Sequence, residues 1–203
     1  MRKKIIVITT FIVLAFAGLG VYLFVEDGGF SQADIPDNPD KVEYVHGEFV
    51  VDPENTEELI GFSDHVFVGK VVKWLGNRQP EEDDFSIPYN DYEVEVLENL
   101  KGELKDKAIV HKMGGYNEKN VLILTGETEK KDELPEVGKT YIFIARADEE
   151  GKMLVDNAYS QTEVKEKMTD SGTKKEIQKY KKAVRNQIPY KQKESGLENV
   201  NSN

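Results

Sequence analysis

From Ile5 to Val25 the chain is uncharged and almost wholly apolar, close to the ~20 residues a helix needs to cross the hydrocarbon of a bilayer. Residues 26–55 then turn polar. Glu26-Asp27-Gly28-Gly29 and Ile35-Pro36-Asp37-Asn38-Pro39-Asp40 have the composition of a solvated linker with turns, with a short extended piece at Val42 to Val51. Thr56 to Ser63 predicts a brief helix, because Asn55 or Thr56 can cap it and Glu57 and Glu58 occupy the first turn, where the helix dipole favours anions. His65 to Trp74 is rich in β-branched residues and apolar on both faces, which suits a strand in a closed or covered sheet. Tyr92 to Val96 alternates, so Tyr92, Val94 and Val96 point inward and Glu93 and Glu95 face water. Leu100 to Leu104 supplies a turn, Ala108 to Met113 a further strand, and Val121 to Leu124 a short apolar run that reads as a strand or a covered loop. The segment Lys130 to Pro135 breaks the pattern before Gly138-Lys139 turns the chain into the strand Thr140 to Ala145, and a hairpin through Glu149-Glu150-Gly151 leads to Met153-Leu154-Val155. Residues 174–187 have helical propensity, with Ile177, Tyr180, Val184 and Ile188 on one side. Pro189 stops that helix, and Glu194 to Asn203 reads as a polar, disordered tail. The fold class expected from this pattern is mainly β with flanking helices, a sandwich or barrel of short strands preceded by a transmembrane helix.

Charge fixes the orientation of the apolar stretch. Arg2, Lys3 and Lys4 precede it and Glu26 and Asp27 follow it, and positive flanks stay cytoplasmic, so the remainder is expected outside a cell membrane crossed once. Ala15-Phe16-Ala17 offers a small-x-small cleavage pattern, which would give a secreted form. The apolar run continues past it through Leu19 and Val21 to Val25, which favours an uncut signal anchor. The chain has no cysteine, which excludes a lipid anchor on a lipobox cysteine and any disulfide, a composition ordinary for an exported protein of a Gram-positive bacterium. Net charge is −11, and −14 without the three N-terminal cations. A domain so acidic does not bind nucleic acid through its general field. The expected organisation is a cytoplasmic stub and anchor at 1–25, a linker at 26–55, one β domain at 56–163, a C-terminal helix at 164–190 and a tail at 191–203.

The phrases Ser63-Asp64-His65-Val66-Phe67-Val68-Gly69-Lys70-Val71, Tyr92-Glu93-Val94-Glu95-Val96 with Leu100-Lys101-Gly102, and Gly138-Lys139-Thr140-Tyr141-Ile142-Phe143-Ile144-Ala145 follow one another in an order that resembles the netrin-like family over residues 57–160. Its metalloproteinase-inhibitor (TIMP-like) members share a five-stranded barrel of the oligonucleotide/oligosaccharide-binding (OB) type. The likeness is strongest to cysteine-free bacterial surface proteins, and it implies a five- to six-stranded OB-like barrel. In the inhibitor branch an N-terminal cysteine chelates the protease zinc; this chain has none, so that activity is not implied, and a fold by itself does not give a function.

Candidate chemistry is sparse. Ser63, Asp64 and His65 are the residue types of a hydrolase triad, but neighbours on a strand point in opposite directions, and there is no Gly-x-Ser-x-Gly elbow. His46, His65 and His111 are scattered without zinc spacing, and each reads as a packing residue. Glu81, Glu82, Asp83 and Asp84 gather four carboxylates as weak calcium candidates, but they lack the Asp-x-Asp-x-Asp-Gly order of a calcium loop and read first as a solvated run. Trp74, Tyr89 and Tyr116, with Tyr92 as a core alternative, are the aromatic candidates for a ligand groove, and Trp74 and Tyr89 flank the stretch Leu75 to Pro88. Eight cations between Lys174 and Lys193 read as a solvated helix face or as a patch for anionic surfaces. Carboxylates are abundant, but nothing singles out a catalytic pair. The expectation is a non-enzymatic, cofactor-free surface module that binds a protein, peptide or glycan. The competing reading is a structural or accessory subunit of a membrane or envelope complex, joined through Ala15, Ala17, Gly18 and Gly20 on the anchor.

Overall fold

The computed structural model describes residues 39–79, 87–126, 131–165 and 167–191. The apolar stretch 5–25 lies outside them, and among the described residues no helix is long and apolar enough to cross a membrane. In chain order the elements are β1 (Lys41–Val45), α1 (Thr56–Phe62), β2 (His65–Arg78), β3 (Tyr89–Lys101), β4 (Lys107–Met113), β5 (Gly115–Tyr116), β6 (Val121–Thr125), β7 (Thr140–Ala147), β8 (Met153–Val155), β9 (Gln161–Val164) and α2 (Ser171–Arg185).

Five strands close on themselves in the order β2-β3-β4-β8-β7, with β7 returning to β2. The pair β4–β8 is parallel and the other barrel pairs are antiparallel. β9 lies beside the first half of β7, on the edge that β8 occupies further along. A second, three-stranded sheet, β1-β6-β5, has β1 parallel to β6.

Closure demands strong coiling of the longest strands. Between β2 and β3 the register shifts at Val66/Phe67, Val68/Gly69, Val71/Lys73 and Trp74/Gly76. Each bulge bends the strand and adds twist. Gly69 sits at one of these bends, where a Cβ would lie 2.4 Å from Val94 Cγ1, so only glycine lets β3 approach there.

The two apolar faces of β2 have separate destinations. Phe67, Val71 and Trp74 fill the barrel with Tyr92, Val94, Val110, Tyr141, Phe143, Met153 and Val155. Val66 and Val68 point outward and, with Ile142 and Ile144 of β7, pack beneath Leu59 and Ile60 of α1 and Ile177 and Ala183 of α2. The inward placement expected for Tyr92 and Val94 holds, and Val96 packs partly buried against the same core.

The helix α1 forms as its local signals require. The Asn55 carboxamide oxygen accepts the N–H groups of Glu57 and Glu58 at 3.1 and 3.3 Å. At its other end Lys101 Nζ donates to the carbonyls of Ile60 and Ser63, both at 2.6 Å, which places a cation where the dipole favours one. The helix α2 spans 171–185 rather than 174–187: Asp170 stands at its N-cap position, and the chain leaves the helix at Asn186, before Pro189. Beyond it the Ile188 N–H donates to the Glu57 carbonyl at 3.0 Å, binding the segment after α2 across α1.

Candidate functional site

Between β1 and α1 the chain crosses the outside of the barrel as a strap, residues 46–55, and beneath it lies a cavity of about 410 Å³. Strand pairing builds the floor. Asp91 pairs with His111, His111 with Leu154 and Leu154 with Arg146, so these four side chains form one row around the outer face of β3, β4, β8 and β7. Tyr89, Met113, Leu154 and Ile144 line the floor, Phe49, Val50 and Val51 of the strap form the roof, and Phe62 of α1 closes one side. The size and mostly apolar lining are those of a small-molecule or side-chain site.

Most polar groups of the lining serve the fold. Ser63 Oγ donates to the Ile60 carbonyl at 2.9 Å. Asn157 Oδ1 accepts the N–H groups of Tyr159 and Ser160 at 2.9 and 3.0 Å, and Thr125 Oγ1 donates to Asp132 at 2.6 Å. Arg146 differs. One terminal nitrogen is fixed to Asp156 Oδ2 at 2.8 Å and its guanidinium lies 5.1 Å from the centre of the Phe62 ring. Its Nε–H is buried and has no acceptor among the described residues.

Beside the cavity is a cluster of charged groups. Asp91 Oδ1 holds His111 Nδ1 in a short contact, Asp91 Oδ2 accepts from Arg78 at 2.9 Å, and the Tyr89 ring stacks on the His111 ring at 4.3 Å between centres. Burial raises the Asp91 carboxyl, but the hydrogen bond and charge of His111, with Arg78 and Lys152, outweigh it and hold the group below its ordinary value. No group of three or more His, Asp or Glu side chains among the described residues is arranged to hold a metal ion.

The structure brings one of the three aromatic candidates, Tyr89, to the cavity. Trp74 is 5% exposed at one end of the barrel, where its Nε1–H donates to Asn90 Oδ1 at 2.6 Å. Tyr116 is 8% exposed, its carbonyl accepting from Asn77 and Gln79 at 2.7 and 2.6 Å. The carboxylates Glu81, Glu82, Asp83 and Asp84 lie outside the described residues. Ser63, Asp64 and His65 stand in succession at the α1–β2 junction: Ser63 ends the helix, and Asp64 Oδ2 accepts the Ala147 N–H at 2.9 Å.

Sequence reasoning passed over Arg146, Phe62, Asp156 and the His111–Asp91 pair. A signal existed for part of the site, since Phe49-Val50-Val51 is an apolar triplet inside a polar linker, and Ile142, Ile144 and Arg146 share one strand face. No protein-family model matches the chain, and comparison with curated proteins finds no match.

Proposed function

We propose that this protein is a membrane-anchored, extracytoplasmic binding module whose ligand enters the cavity under the strap. The observation that carries the reading is the cavity itself, about 410 Å³ of mostly apolar space with a fixed arginine in its wall. The uncharged run 5–25 behind three cations supports the anchor and the outward orientation. A closed barrel in the order β2-β3-β4-β8-β7 with one parallel pair supports an OB-type, netrin-like assignment. Barrels of this type use the outer face of their second and third strands for ligands, and here that face, on β3 and β4, carries Tyr89 and Met113 of the cavity floor. The net charge of −11 argues against a nucleic-acid ligand.

The test uses the full chain in phospholipid nanodiscs and a solvatochromic apolar dye. Saturable binding that is lost in Leu154→Asp, with the thermal unfolding of the variant unchanged, supports the reading; binding indifferent to that substitution sinks it. On intact cells, an external protease should remove the barrel and spare residues 1–25, and full protection would overturn the orientation.

A second reading, an accessory subunit of an envelope complex, is favoured by β1. All five of its residues are exposed, including Val42, Tyr44 and Val45, and it stands at the edge of its sheet, a form suited to pairing with another chain. Placing proline at Val42 of β1 and scoring recovery of the partner by cross-linking separates the two, since an accessory subunit that pairs through this edge loses the partner while binding in the cavity is unaffected.

A further inference from the structure

Charge is segregated along this chain. Residues 171–191 carry seven Lys and Arg against one acid, Glu176, a net of +6, so the rest of a chain of net charge −11 carries −17. The fold turns this block into a surface. Helix α2 packs Ile177 and Ala183 against α1 and the outer face of β2 and β7, and its opposite face is exposed and reads Lys174, Lys175, Gln178, Lys179, Lys182 and Arg185. At 3.6 residues per turn these six fall within an arc of about 140° that holds no acid. Lys179 is paired with Glu176 at 2.5 Å, and Lys181, at the flank, with Glu98; Lys174, Lys175, Lys182 and Arg185 have no carboxylate partner among the described residues. Helix stability does not account for the stripe. Lys182 and Arg185 suit the last turn, but Lys174 and Lys175 stand near the N-terminus, where the dipole disfavours cations, and no acid occupies the first turn.

What covers such a face is anionic and extended. The cations spread over a convex helix and none lines the cavity under the strap, so they do not converge on a small anion as a pocket would. Just past the helix, Ile188 and Tyr190 are 46% and 42% exposed, an apolar and an amphipathic aromatic side chain of the kind that enters the headgroup region of a bilayer. Proximity selects lipid among anionic surfaces. Residues 26–38 are all that separates the apolar run 5–25 from the first described residue, Pro39, a reach of at most about 45 Å, so an anchored domain stays within touch of its own membrane. We propose that the exposed face of α2 docks on anionic phospholipid headgroups of the membrane in which the chain is anchored, with the acidic barrel turned away from it. The choice of lipid over a soluble polyanion rests on the anchor reading; the cationic face does not.

Because the chain has no cysteine, Gln178→Cys gives one site, in the middle of the face, for a solvatochromic dye. The labelled full chain is reconstituted in nanodiscs of phosphatidylcholine alone and of phosphatidylcholine with phosphatidylglycerol. Dye emission should shift to the blue in the anionic discs only, and the shift should vanish in molar sodium chloride, where the screening length falls to about 3 Å. Lys174→Gln, Lys182→Gln and Arg185→Gln together should abolish the shift with thermal unfolding unchanged. Lys70→Gln, Lys105→Gln and Lys119→Gln together, which remove the same charge from exposed positions elsewhere, should leave it intact. The same spectrum in both discs, a shift that survives molar salt, or equal loss in the two triple variants overturns the proposal. A response to soluble polyphosphate in neutral discs, with none to phosphatidylglycerol, overturns it in favour of a soluble polyanion. Retention of the chain by neutral discs without a dye shift in anionic ones leaves the anchor standing and this inference fallen; retention by anionic discs alone, with the shift, does the reverse.

Discussion

Two buried side chains on one strand face in the barrel differ in how their polar atoms are satisfied. Asn90 accepts the Trp74 indole at 2.6 Å and donates to the Gly114 carbonyl at 2.7 Å, tying the end of β2 to the β4–β5 junction. Tyr92, two residues on, is fully buried with its hydroxyl unpaired among the described residues, and burial, with Tyr141 and Tyr116 nearby, pushes the phenol well above its ordinary value. Asn90→Ala should therefore destabilise the protein by about 2–3 kcal/mol, because it removes a buried acceptor of the Trp74 indole and a buried donor to the Gly114 carbonyl, whereas Tyr92→Phe should leave stability unchanged or raise it slightly. Urea unfolding of the two variants checks both, and a larger loss in Tyr92→Phe would contradict the account. Trp74 also explains a limit of sequence reading. Phe67 and Val71 point inward on odd positions, the bulge at Val71/Lys73 shifts the phase, and Trp74 points inward on an even one. Strict alternation does not survive a bulge, so an aromatic expected at a loop rim lies in the core. Asp91 gives a pH prediction. Its carboxyl is held below the ordinary 3.8 in the folded state, despite burial, by His111 and Arg78, so its contribution is fully present above that value and is lost as pH falls through the lower folded one. The loss of stability on acidification should be shallower in Asp91→Asn than in wild type, read as thermal midpoints from pH 6 downward.

Among the elements, α1 was legible from its sequence because its N-terminal cap and first-turn acids are local. Its other partners were not, because they come from distant parts of the chain. Lys101 reaches it from the end of β3, and the segment after α2 lies on it so closely that a Cβ at Gly61 would stand 1.8 Å from the Ile188 carbonyl oxygen. Tyr190 continues this contact by meeting Phe62 edge-on, with ring centres 5.1 Å apart, and so joins the segment after α2 to the cavity wall. A methyl group at Gly61 has no flexible neighbour to displace, only backbone. Gly61→Ala should lift residues 186–190 from α1, cost about 1–3 kcal/mol and speed amide exchange at Ile188. The N-cap interactions of Asn55 should be unaffected, so the exchange of Glu58 should not change. Faster exchange over the whole of α1 would mean that the helix itself depends on this contact. The remaining elements divide in the same way: strands with a strong β-branched or alternating pattern were readable, whereas β5 and β9 are too short to carry a pattern of their own.

At the scale of the molecule, a barrel fills its interior with apolar side chains only if its ends are sealed, and the end at Trp74 is sealed by polar groups. Lys112, on the inward face of β4, is completely buried and donates to Asp132 Oδ2 at 2.5 Å and to the Met113 carbonyl at 3.0 Å. Asp132 also receives Thr125 Oγ1 and the Glu133 N–H, at 2.6 and 2.9 Å. The pair thus fastens the approach to β7, and with it the strand that closes the barrel on β2, to β4 and β6. In the sequence Asp132 stands among charged residues that interrupt the strand pattern, and nothing local distinguishes it from its exposed neighbour Lys131. Only the closed topology, which pairs strands far apart along the chain, gives it a buried partner. Burying two charges is costly unless they are paired, so the ion pair contributes less than the loss of either member suggests. Lys112→Met should cost about 3–5 kcal/mol by leaving Asp132 unpaired in the interior, and Asp132→Leu should cost a similar amount. The double variant should recover most of that loss, with a strongly non-additive double-mutant cycle in urea unfolding. Additive losses would mean that the two side chains act through separate contacts and that another part of the fold holds the barrel end closed.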